Sequence, residues 1–520
     1  MAEDRALLWS SEESTDRRTF FAQHLTTRLL TQVGCDVGQA ISVDTLPDDV
    51  LLAIFDQYVN GAVQNFPERE RAWQSLVHVC RRWRSTIFGS PHHLNLQLVC
   101  QEKTPARDML DIWPTLPLNI WSYDAHQIGS VDNFIAVLER SDHVCRIILP
   151  HASNSDLEIL MAAMQQPFPE LTDLSLYDTV GEMVPVVSES FLGGSAPRLK
   201  YLWLDRIPFP GLPKLLLSAT HLVTLHLTHI PHSGYISPGA MVTALSSLTS
   251  LERFWLEFQS PRSCPDHASR HLPPSTHSVL PVLRYFTFKG VSEYLEEIAA
   301  RIDAPRLNSL HITFFNDIVF DTPQIMQFIS RTPTSRALEN ANITLQNQDA
   351  SLVFSSRISG DWKVYVGILC QGLDWQLSSV EQVCTSCLPP LSTLEDLYIC
   401  DYRYSQPDWK DNIENQLWLQ LLHPFTAVKN LYLSEETALH IGPALQELSE
   451  GRTTGVLPAL QNIFLKGHQP SEPVHEGIRQ FVASQQVTGR PITVSRWDDS
   501  DSEQDDSDLE QDEVLTSGDR

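Results

Sequence analysis

Residues 197–204 read PRLKYLWL, a stretch in which aliphatic positions alternate with larger, partly polar ones. Leu202 and Leu204 are aliphatic, whereas Tyr201 and Trp203 stand between them. This two-residue period predicts a β-strand with one buried face, because successive side chains of a strand point to opposite sides of its sheet. The proline at the start of the stretch favours an extended chain and prevents a helix from continuing into the strand. A turn followed by a half-buried strand is therefore expected here.

The same apolar-x-x-apolar-x-apolar pattern recurs through the chain. A looser copy starts at Val144, and five of the nine clear copies have a proline two positions before their first residue, so the turn recurs with the strand. The clear copies are LTDLSL at 171, LKYLWL at 199, LVTLHL at 222, LERFWL at 251, LRYFTF at 283, LNSLHI at 307, LEDLYI at 394, VKNLYL at 428 and LQNIFL at 460. The recurrence predicts a repeat protein.

The spacing of the copies leaves room for a helix between neighbouring strands. Successive starts from 171 to 307 differ by 28, 23, 29, 32 and 24 residues, which brackets the leucine-rich repeat period of roughly 20–29 residues. EYLEEIAARI, PQIMQFISRT and WLQLLHPF, at 293–302, 323–332 and 418–425, are the predicted helices. Strand–helix units of this length stack side by side, so we expect a curved parallel sheet. The gap between the copies at 307 and 394 has room for about three more units, with NITLQN and WKVYVGILC as their predicted strands.

A different pattern occupies the region before residue 92. Residues 46–59, LPDDVLLAIFDQYV, predict an amphipathic helix whose first turn suits Pro47 and the two aspartates after it. A second run, RAWQSLVHVCRRWRSTIF at 71–88, predicts one continuous helix with its arginines toward the C-terminal half. A unit of about 50 residues usually cannot bury enough apolar surface to stand alone. Part of its apolar face is therefore predicted to bind something else.

These two runs together resemble the F-box, whose pattern is Leu-Pro, an acidic and apolar helix ending in Ile-Phe, and then Val-Cys-Arg-x-Trp. The resemblance covers residues 43–92 and implies docking on the Skp-type adaptor, and through it the cullin, of a Skp–cullin–F-box ubiquitin ligase. The matching positions, which the resemblance implies bind the adaptor, are Leu46, Pro47, Val50, Leu51, Ile54, Phe55, Val79, Cys80 and Trp83, with Arg81 completing the motif. The alternative is a helical hairpin packed only on the rest of the protein, since aliphatic stripes at helical spacing are most often core.

The repeated region resembles the leucine-rich-repeat-like regions that follow F-boxes in large fungal families. LDWQLSSVEQVC, LPPLSTLEDLYI and HPFTAVKNLYLSEE are typical of that group. The copies lack the consensus asparagine after the strand, so an irregular ladder is expected. The resemblance implies the architecture and leaves the target protein open.

Large side chains recur at the in-between positions of the repeated strands, which in a leucine-rich arrangement face the concave, solvent side. Interfaces favour Trp and Tyr because these side chains bury much area at little entropic cost. The positions predicted to bind a target protein are Tyr201, Trp203, Trp255, Tyr285, Tyr398 and Tyr432, with His226, His311 and Phe464 on the same face. The alternative is that neighbouring loops or tails cover them.

Composition and charge narrow the classes of partner. The chain has 520 residues, 42% of them hydrophobic, and a formal charge of -27, so it is long enough for more than one domain and repels phosphate backbones. Neither nucleic acid nor a membrane is an expected partner. The N-terminal residues lack the basic then apolar layout of a signal peptide, and the nine cysteines are mostly scattered. A cytoplasmic or nuclear location is predicted.

Motifs that carry catalysis are missing from the sequence. It contains no Gly-rich phosphate loop, no His-Glu-x-x-His and no Gly-x-Ser-x-Gly, so a non-catalytic protein is expected. Cys384 and Cys387 form one Cys-x-x-Cys, but a structural zinc site needs four ligands and a second close pair is lacking. Two ordinary thiols are predicted there, with no metal and no cofactor.

The C-terminal residues 498–513 contain ten carboxylates and no basic residue, and such a segment is expected to be disordered. The predicted organisation is α+β overall, with a variable lead-in at 1–42 and a small all-helical F-box at 43–92. An irregular leucine-rich-repeat-like α/β solenoid at 93–497 and a disordered acidic tail at 498–520 follow. The predicted function is substrate recruitment for a ubiquitin ligase. A stand-alone repeat scaffold with a vestigial F-box, or an enzyme hidden on the α/β frame, are the alternatives.

Overall fold

The chain forms two compact units, which meet in sequence between residues 119 and 120. The computed structural model describes residues 46–61, 73, 75–90, 94, 96–101, 106–112, 116–122, 131–178, 185–263, 278–315, 322–332, 338–355, 363–388, 391–401, 414–449, 455–466 and 475–497. The predicted lead-in at 1–42 and the predicted acidic tail at 498–520 lie outside these residues.

The first unit is mainly helical and extends past residue 92, where the F-box is predicted to end. Its elements are helices α1 (Asp48–Gly61), α2 (Arg81–Gly89) and α3 (Ala106–Ile112), strand β1 (Leu98–Cys100) and the beginning of β2 (Leu118–Trp121). Residues 73 and 75–77 are also helical. The amide of Leu98 donates to the carbonyl of Pro117 at 2.8 Å, which joins β1 to the segment that enters β2.

The prediction of one continuous helix over residues 71–88 is wrong. The chain turns at residues 78–80, and α2 begins only at Arg81. Cys80 is extended, with φ -154° and ψ 171°, and its sulfur accepts a hydrogen bond from the Trp83 amide at 3.5 Å. It is therefore the N-cap of α2, because a cap residue is non-helical and satisfies a free amide of the first turn. The arginines consequently stand at the start of α2 rather than near the end of a longer helix.

The second unit alternates strands and helices. After the end of β2, its strands are β3 (Val144–Ala152), β4 (Asp173–Asp178), β5 (Tyr201–Asp205), β6 (Thr224–Ile230), β7 (Arg253–Phe258), β8 (Ser278–Val279), β9 (Tyr285–Gly290), β10 (Ile302–Asp303), β11 (Ser309–Phe314), β12 (Asn340–Leu345), β13 (Asp349–Ser355), β14 (Lys363–Leu369), β15 (Asp396–Asp401), β16 (Asn430–Leu433), β17 (Asn462–Lys466) and β18 (Thr493–Trp497). Its α-helices are α4 (Val131–Leu138), α5 (Asn154–Ala163), α6 (Leu212–Leu216), α7 (Pro238–Leu245), α8 (Ser292–Ala299), α9 (Pro323–Arg331), α10 (Leu373–Gln382), α11 (Asn415–Leu422), α12 (Glu435–Ser449) and α13 (Glu476–Val487). Short 3-10 turns occur at Phe191–Gly194, His232–Gly234 and Pro261–Ser263, and a π-helical turn occurs at Val383–Cys387.

Most strands of the second unit run parallel in one large sheet. All nine clear copies of the pattern and the looser copy at Val144 form strands of this sheet. From β3 to β11 the spatial order is β3-β4-β5-β6-β7-β9-β11, and each neighbouring pair is parallel. Strands β8 and β10 form a separate parallel pair. This α/β architecture with a mostly parallel sheet is compatible with a leucine-rich-repeat-like solenoid, and the curvature of the sheet stays a prediction.

The prediction of a fully parallel sheet is wrong between residues 338 and 369. The sheet continues from β11 as β14-β13-β12-β15, and β13 is antiparallel to both of its neighbours. Only residues 346–348 separate β12 from β13, and a parallel connection needs a dozen or more residues. The two strands therefore form a hairpin, in which the Gln346 amide donates to the Asp349 carbonyl at 2.9 Å. NITLQN and WKVYVGILC are strands β12 and β14, as predicted, whereas β13 was not predicted.

The aliphatic and Phe positions of the strands form the core on the helix-covered face of the sheet. Leu202, Leu225, Phe254, Phe286 and Leu310 are buried and lie in register across five strands. Aromatic rings from the helices pack on this face, as in the Phe286–Phe328 pair with centroids 6.4 Å apart and the Phe258–Tyr294 pair at 4.8 Å. Among the described helices, none combines the length and apolar character that crossing a membrane requires.

Candidate protein-binding surfaces

The opposite side of the sheet, called the open face below, carries one continuous row of side chains. Strand register places Ser175, Trp203, His226, Trp255, Thr287, His311 and Tyr365 side by side on β4, β5, β6, β7, β9, β11 and β14. The row continues through Val353 and Asn342 on the antiparallel insertion to Tyr398, Tyr432 and Phe464. The insertion thus divides the aromatic positions of the row into two groups.

The first group is a compact set of rings, here called the tryptophan cluster: Tyr177, Tyr201, Trp203, His226 and Trp255. The centroid of the Trp203 ring lies 4.6 Å from that of Tyr177 and 5.1 Å from that of His226. The His226 ring also lies 3.9 Å from Trp255 and 5.8 Å from Tyr201. Pairs at such separations attract one another beyond the effect of their burial. The cluster is therefore partly a structural unit of the open face as well as a candidate for contacts with a partner.

A polar network fixes one edge of the tryptophan cluster. The Trp203 indole donates to the Thr228 hydroxyl at 3.1 Å, and that hydroxyl donates to Asp205 Oδ1 at 2.9 Å. His229 Nδ1 lies 2.7 Å from the same carboxylate oxygen, and its residue has a left-handed backbone with φ 50°. The network holds the indole of Trp203 in one orientation, because its N–H already has an acceptor.

Two histidines of the row have a lowered pKa, and of these His226 is buried and His311 is half-buried. His226 is 8% exposed, and burial followed by the nearby Arg253 charge lowers the pKa of its imidazole to about 3. Its Nε2 is enclosed without a hydrogen-bond partner among the described residues. Burial also lowers the pKa of His311 to about 4, and its ring stacks on Tyr365 at 3.9 Å. At neutral pH the row therefore carries aromatic surface without charge.

The depressed pKa of His226 predicts a loss of stability in mild acid. Between about pH 6.5 and pH 3 the unfolded chain binds a proton at this residue and the folded chain does not, so stability rises with pH across that window. Relative to pH 7.5, the unmet protonation of His226 should cost about 2 kcal/mol at pH 5. In urea unfolding at both pH values, His226→Phe should reduce the pH-dependent loss by about this amount. Any loss of stability from packing the larger ring is the same at both pH values, so it cancels in the difference between them. If His226→Phe left the pH dependence of stability unchanged, the prediction would be contradicted.

The second aromatic group is partly covered by another side chain of the sheet, and Tyr398 and Tyr432 are half-buried. Tyr398 stacks on Tyr432 with centroids 4.1 Å apart, and Tyr432 stacks on Phe464 at 4.5 Å. The Trp497 ring lies 5.7 Å from Tyr398 and 5.6 Å from Tyr432, and its indole donates to the Leu433 carbonyl at 3.4 Å. For Tyr398 and Tyr432, the alternative that other parts of the chain pack over the strand side chains therefore applies.

A ladder of polar side chains runs beside this covered group. Thr493 donates to the Asn462 amide oxygen, and Asn462 donates to Asn430 at 2.8 Å. Asn430 in turn donates to the buried carboxylate of Asp396 at 2.6 Å. The ladder satisfies polar groups at the start of β15 to β18, and so it fixes the register of these strands.

The structure separates the six predicted target-binding residues into three settings. Tyr201, Trp203 and Trp255 meet in the tryptophan cluster, and Tyr285 lies beside it with 37% of its surface exposed. Tyr398 and Tyr432 lie in the covered group. Several residues that neighbour these positions were not predicted from the sequence: Tyr177, Arg253, Tyr365 and Trp497. Extending the alternation of LTDLSL by one residue would have found Tyr177.

The F-box-like segment also separates its residues into inner and outer positions. Leu51 and Phe55 are each 0% exposed, and the Phe55 ring lies 4.7 Å from Trp83, which is also buried. Val50 is 40% exposed, and Ile54 and Tyr58 are half-buried. Val50, Ile54 and Tyr58 are spaced by four residues, so they line one side of α1; they are called the α1 stripe below. The remaining predicted positions, Leu46, Pro47, Val79 and Cys80, are half-buried or exposed.

A side chain of α2 holds the beginning of α1. Arg82 donates to Asp48 Oδ1 from Nη2 at 2.7 Å and from Nε at 3.1 Å, and it also donates to the Leu46 carbonyl. Two helices that are far apart in sequence are thus joined at the Leu-Pro end of the motif. An exposed ion pair contributes little stability, so its effect here is to orient the N-terminal turn.

Metal-ligating residues are not grouped in the described part of the chain, where no three His, Cys, Asp or Glu side chains are arranged to hold an ion. Cys384, the first residue of the Cys-x-x-Cys, is buried on the π-helical turn.

Comparison with known proteins adds a structural likeness. No protein-family model matches the chain, and no curated protein matches it. Among solved structures, the chain is similar to the leucine-rich repeat-containing protein LegL7 from Legionella pneumophila, at 13% identity and a TM-score of 0.26, over 76% of this chain and 99% of that protein. This similarity is too low to define the class of the protein. The strand register described above defines it as an α/β repeat protein with a mostly parallel sheet.

Proposed function

We propose that this protein recruits a target protein to a Skp–cullin–F-box ubiquitin ligase, with the F-box-like segment binding the Skp-type adaptor and the open face binding the target. The observation that carries the proposal is the α1 stripe. Leu51, Phe55 and Trp83 already form the inner side of the segment. Val50 and Ile54, which are apolar and match the motif, remain partly exposed, and so does Tyr58 on the same stripe.

An exposed aliphatic stripe on a helix is suited to a partner helix. Burying one such side chain contributes roughly 1.5–3 kcal/mol, and anchors spaced by four residues fit a groove between helices. The Leu-Pro turn beside the stripe is oriented by Arg82, so the surface is preformed rather than ordered on binding. Preformed surfaces lose less entropy when they bind.

The target-binding end is proposed to be the open face around Trp203, Trp255 and Tyr285. These side chains combine aromatic surface with partial exposure. Interfaces concentrate their energy in a few such residues. Tyr398 and Tyr432 are proposed to contribute less, because Trp497 lies across them.

The mechanism is proximity. One end of the chain holds the adaptor, the other holds the target, and the conjugating machinery supplies the chemistry, so the chain itself needs no catalytic residue. The nine cysteines are mostly scattered along the sequence, and this supports a reducing cytoplasmic or nuclear setting.

A stand-alone repeat scaffold remains the second candidate, because the open face is independent of ubiquitination. Co-expression of the full chain with a Skp-type adaptor separates the two candidates. A stable one-to-one complex on size exclusion, which then binds cullin, is the result we expect. Recovery of target proteins from native cells without adaptor or cullin would favour the scaffold, and turnover of a small substrate by the isolated chain would favour an enzyme.

A further inference from the structure

One cation on the open face has no carboxylate beside it. Arg253 begins β7 and points to the same face as Trp255, two residues further along the strand. Its guanidinium lies 5.1 Å above the centroid of the Tyr285 ring. Among the described residues no carboxylate lies within ion-pair distance of it, whereas Arg146, on the same face, pairs with Asp173 at 3.3 Å. In a chain with 64 acidic and 37 basic residues, this cation lies where the overall charge is strongly negative.

The surroundings of Arg253 are aromatic and neutral. Its charge acts on the half-buried Tyr201 and the buried His226 from across the neighbouring strands. His226 is uncharged at neutral pH, as described above, so it does not compensate or reinforce the arginine. The nearest acidic residue along the same side of β7 is Glu257, four residues away, which is about 13 Å at the rise of a strand. The guanidinium is therefore a single, localised positive charge in an aromatic setting.

This geometry has a chemical preference. An arginine over an aromatic ring can still pair with a carboxylate through two parallel hydrogen bonds from its guanidinium. Tyr285, which is 37% exposed, and Trp255, two residues along β7 on the same face, offer aromatic surface near this cation. A side chain that carried only positive charge would be repelled by Arg253.

The net charge of the chain places a second condition on the partner segment. The chain carries a formal charge of -27 and repels strongly acidic partners. A segment that contains a single acidic residue can pair with Arg253. If the segment is neutral or basic overall, the negative charge of the chain does not repel it.

We propose that the open face around Arg253 binds a partner segment in which one Asp or Glu carboxylate, paired with Arg253, adjoins an aromatic or long aliphatic side chain that packs on Trp255 and Tyr285. The proposal deepens the target-binding role given above and rests on it. The ligand is a side-chain carboxylate within a segment that is otherwise neutral or basic.

A charge-swap selection tests the proposal. The full-length chain and Arg253→Glu are each used to select binders from a displayed library of random 12-residue peptides. Peptides selected by the wild type should be enriched in Asp or Glu next to an aromatic or aliphatic residue, whereas those selected by Arg253→Glu should carry Lys or Arg at that position. Lys214→Glu on the exposed side of α6 is the matched control, because it changes the net charge equally and should select the wild-type peptides.

Binding of one enriched peptide then gives the magnitude. Arg253→Gln should weaken it by roughly tenfold to a hundredfold, as expected for a lost charge-assisted pair, and this variant also serves if Arg253→Glu does not fold. Replacement of the acidic residue by phosphoserine should bind no tighter than the carboxylate. The proposal would be overturned if the wild type and Arg253→Glu selected the same peptides, or if the wild type enriched no acidic residue or no peptide at all. A requirement for phosphate would also overturn it. Adaptor binding, measured in parallel, reports on the F-box-like segment and is expected to be the same in all variants.

Discussion

Replacing Val50 and Ile54 together with glutamate is expected to reduce binding of the Skp-type adaptor by about a hundredfold or more, while the chain stays folded. Each aliphatic side chain contributes roughly 1.5–3 kcal/mol when it is buried, and each 1.4 kcal/mol is about tenfold in affinity. Val50 is 40% exposed and Ile54 is half-buried in the free chain, so both tolerate a charge better than a core position does. Affinity measured by calorimetry, with thermal unfolding beside it, checks both parts of the expectation.

Two controls make this result specific. Leu51→Ala should destabilise the first unit by about 2–5 kcal/mol, since this side chain is fully buried and leaves a cavity. Ile159→Glu with Leu217→Glu makes the same chemical change at two exposed aliphatic positions of the second unit, and it should leave adaptor affinity unchanged. Adaptor binding that survives Val50→Glu with Ile54→Glu would refute the assignment of the α1 stripe.

The second large effect is expected on the open face, where Trp203 and Tyr285 should behave differently. Trp203→Ala should lower the stability of the second unit by about 3–5 kcal/mol, the usual cost of removing a packed tryptophan. Its ring contacts Tyr177 and His226, and its indole donates to Thr228. Tyr285→Ala should lower the stability of the second unit far less, because Tyr285 is exposed. It should, however, release the target that co-purifies with the chain. Urea unfolding and quantitative mass spectrometry of bound partners measure the two effects.

Tyr432→Ala supplies the matched comparison for Tyr285→Ala. Tyr432 stacks between Tyr398 and Phe464 beneath Trp497, so its truncation should destabilise the chain and leave partner recovery intact in the fraction that folds. If Tyr285→Ala retained every partner, or if Tyr432→Ala selectively lost them, the location of the target-binding surface would be wrong.

Local sequence patterns were sufficient to predict the repeat architecture. Leu202 and Leu204 alternate with Tyr201 and Trp203, and the structure places the two pairs on opposite faces of one strand. The alternation suffices because a strand has a period of two, so a pattern of aliphatic residues defines both the strand and its buried face. The helices predicted at 293–302, 323–332 and 418–425 are confirmed in their centres for the same kind of reason, with the period of 3.6 residues.

Periodicity was not sufficient where a local hydrogen bond or a short connection decided the structure. The apolar period of residues 71–88 continues through Cys80, yet a sulfur-to-amide hydrogen bond ends one helical segment and begins the next. The strands of the insertion were partly visible in the sequence, but their direction depended on the three-residue link between β12 and β13. The length of a connection and the capping of a helix each depend on a few individual residues. A hydrophobic pattern that is averaged over a window of residues does not detect them.

The sequence by itself determined the strands of the nine clear copies of the pattern and which face of each of these strands is aliphatic. Only the tertiary structure decided which aromatic residues are covered, because Trp497 reaches Tyr398 and Tyr432 across strands that are distant in sequence. The same holds for α1, where Leu51 and Val50 are adjacent and both apolar, but Leu51 is fully buried and Val50 is 40% exposed. Hydrophobicity sets the free energy gained by burial, whereas the position of the neighbouring elements determines which side chains obtain it.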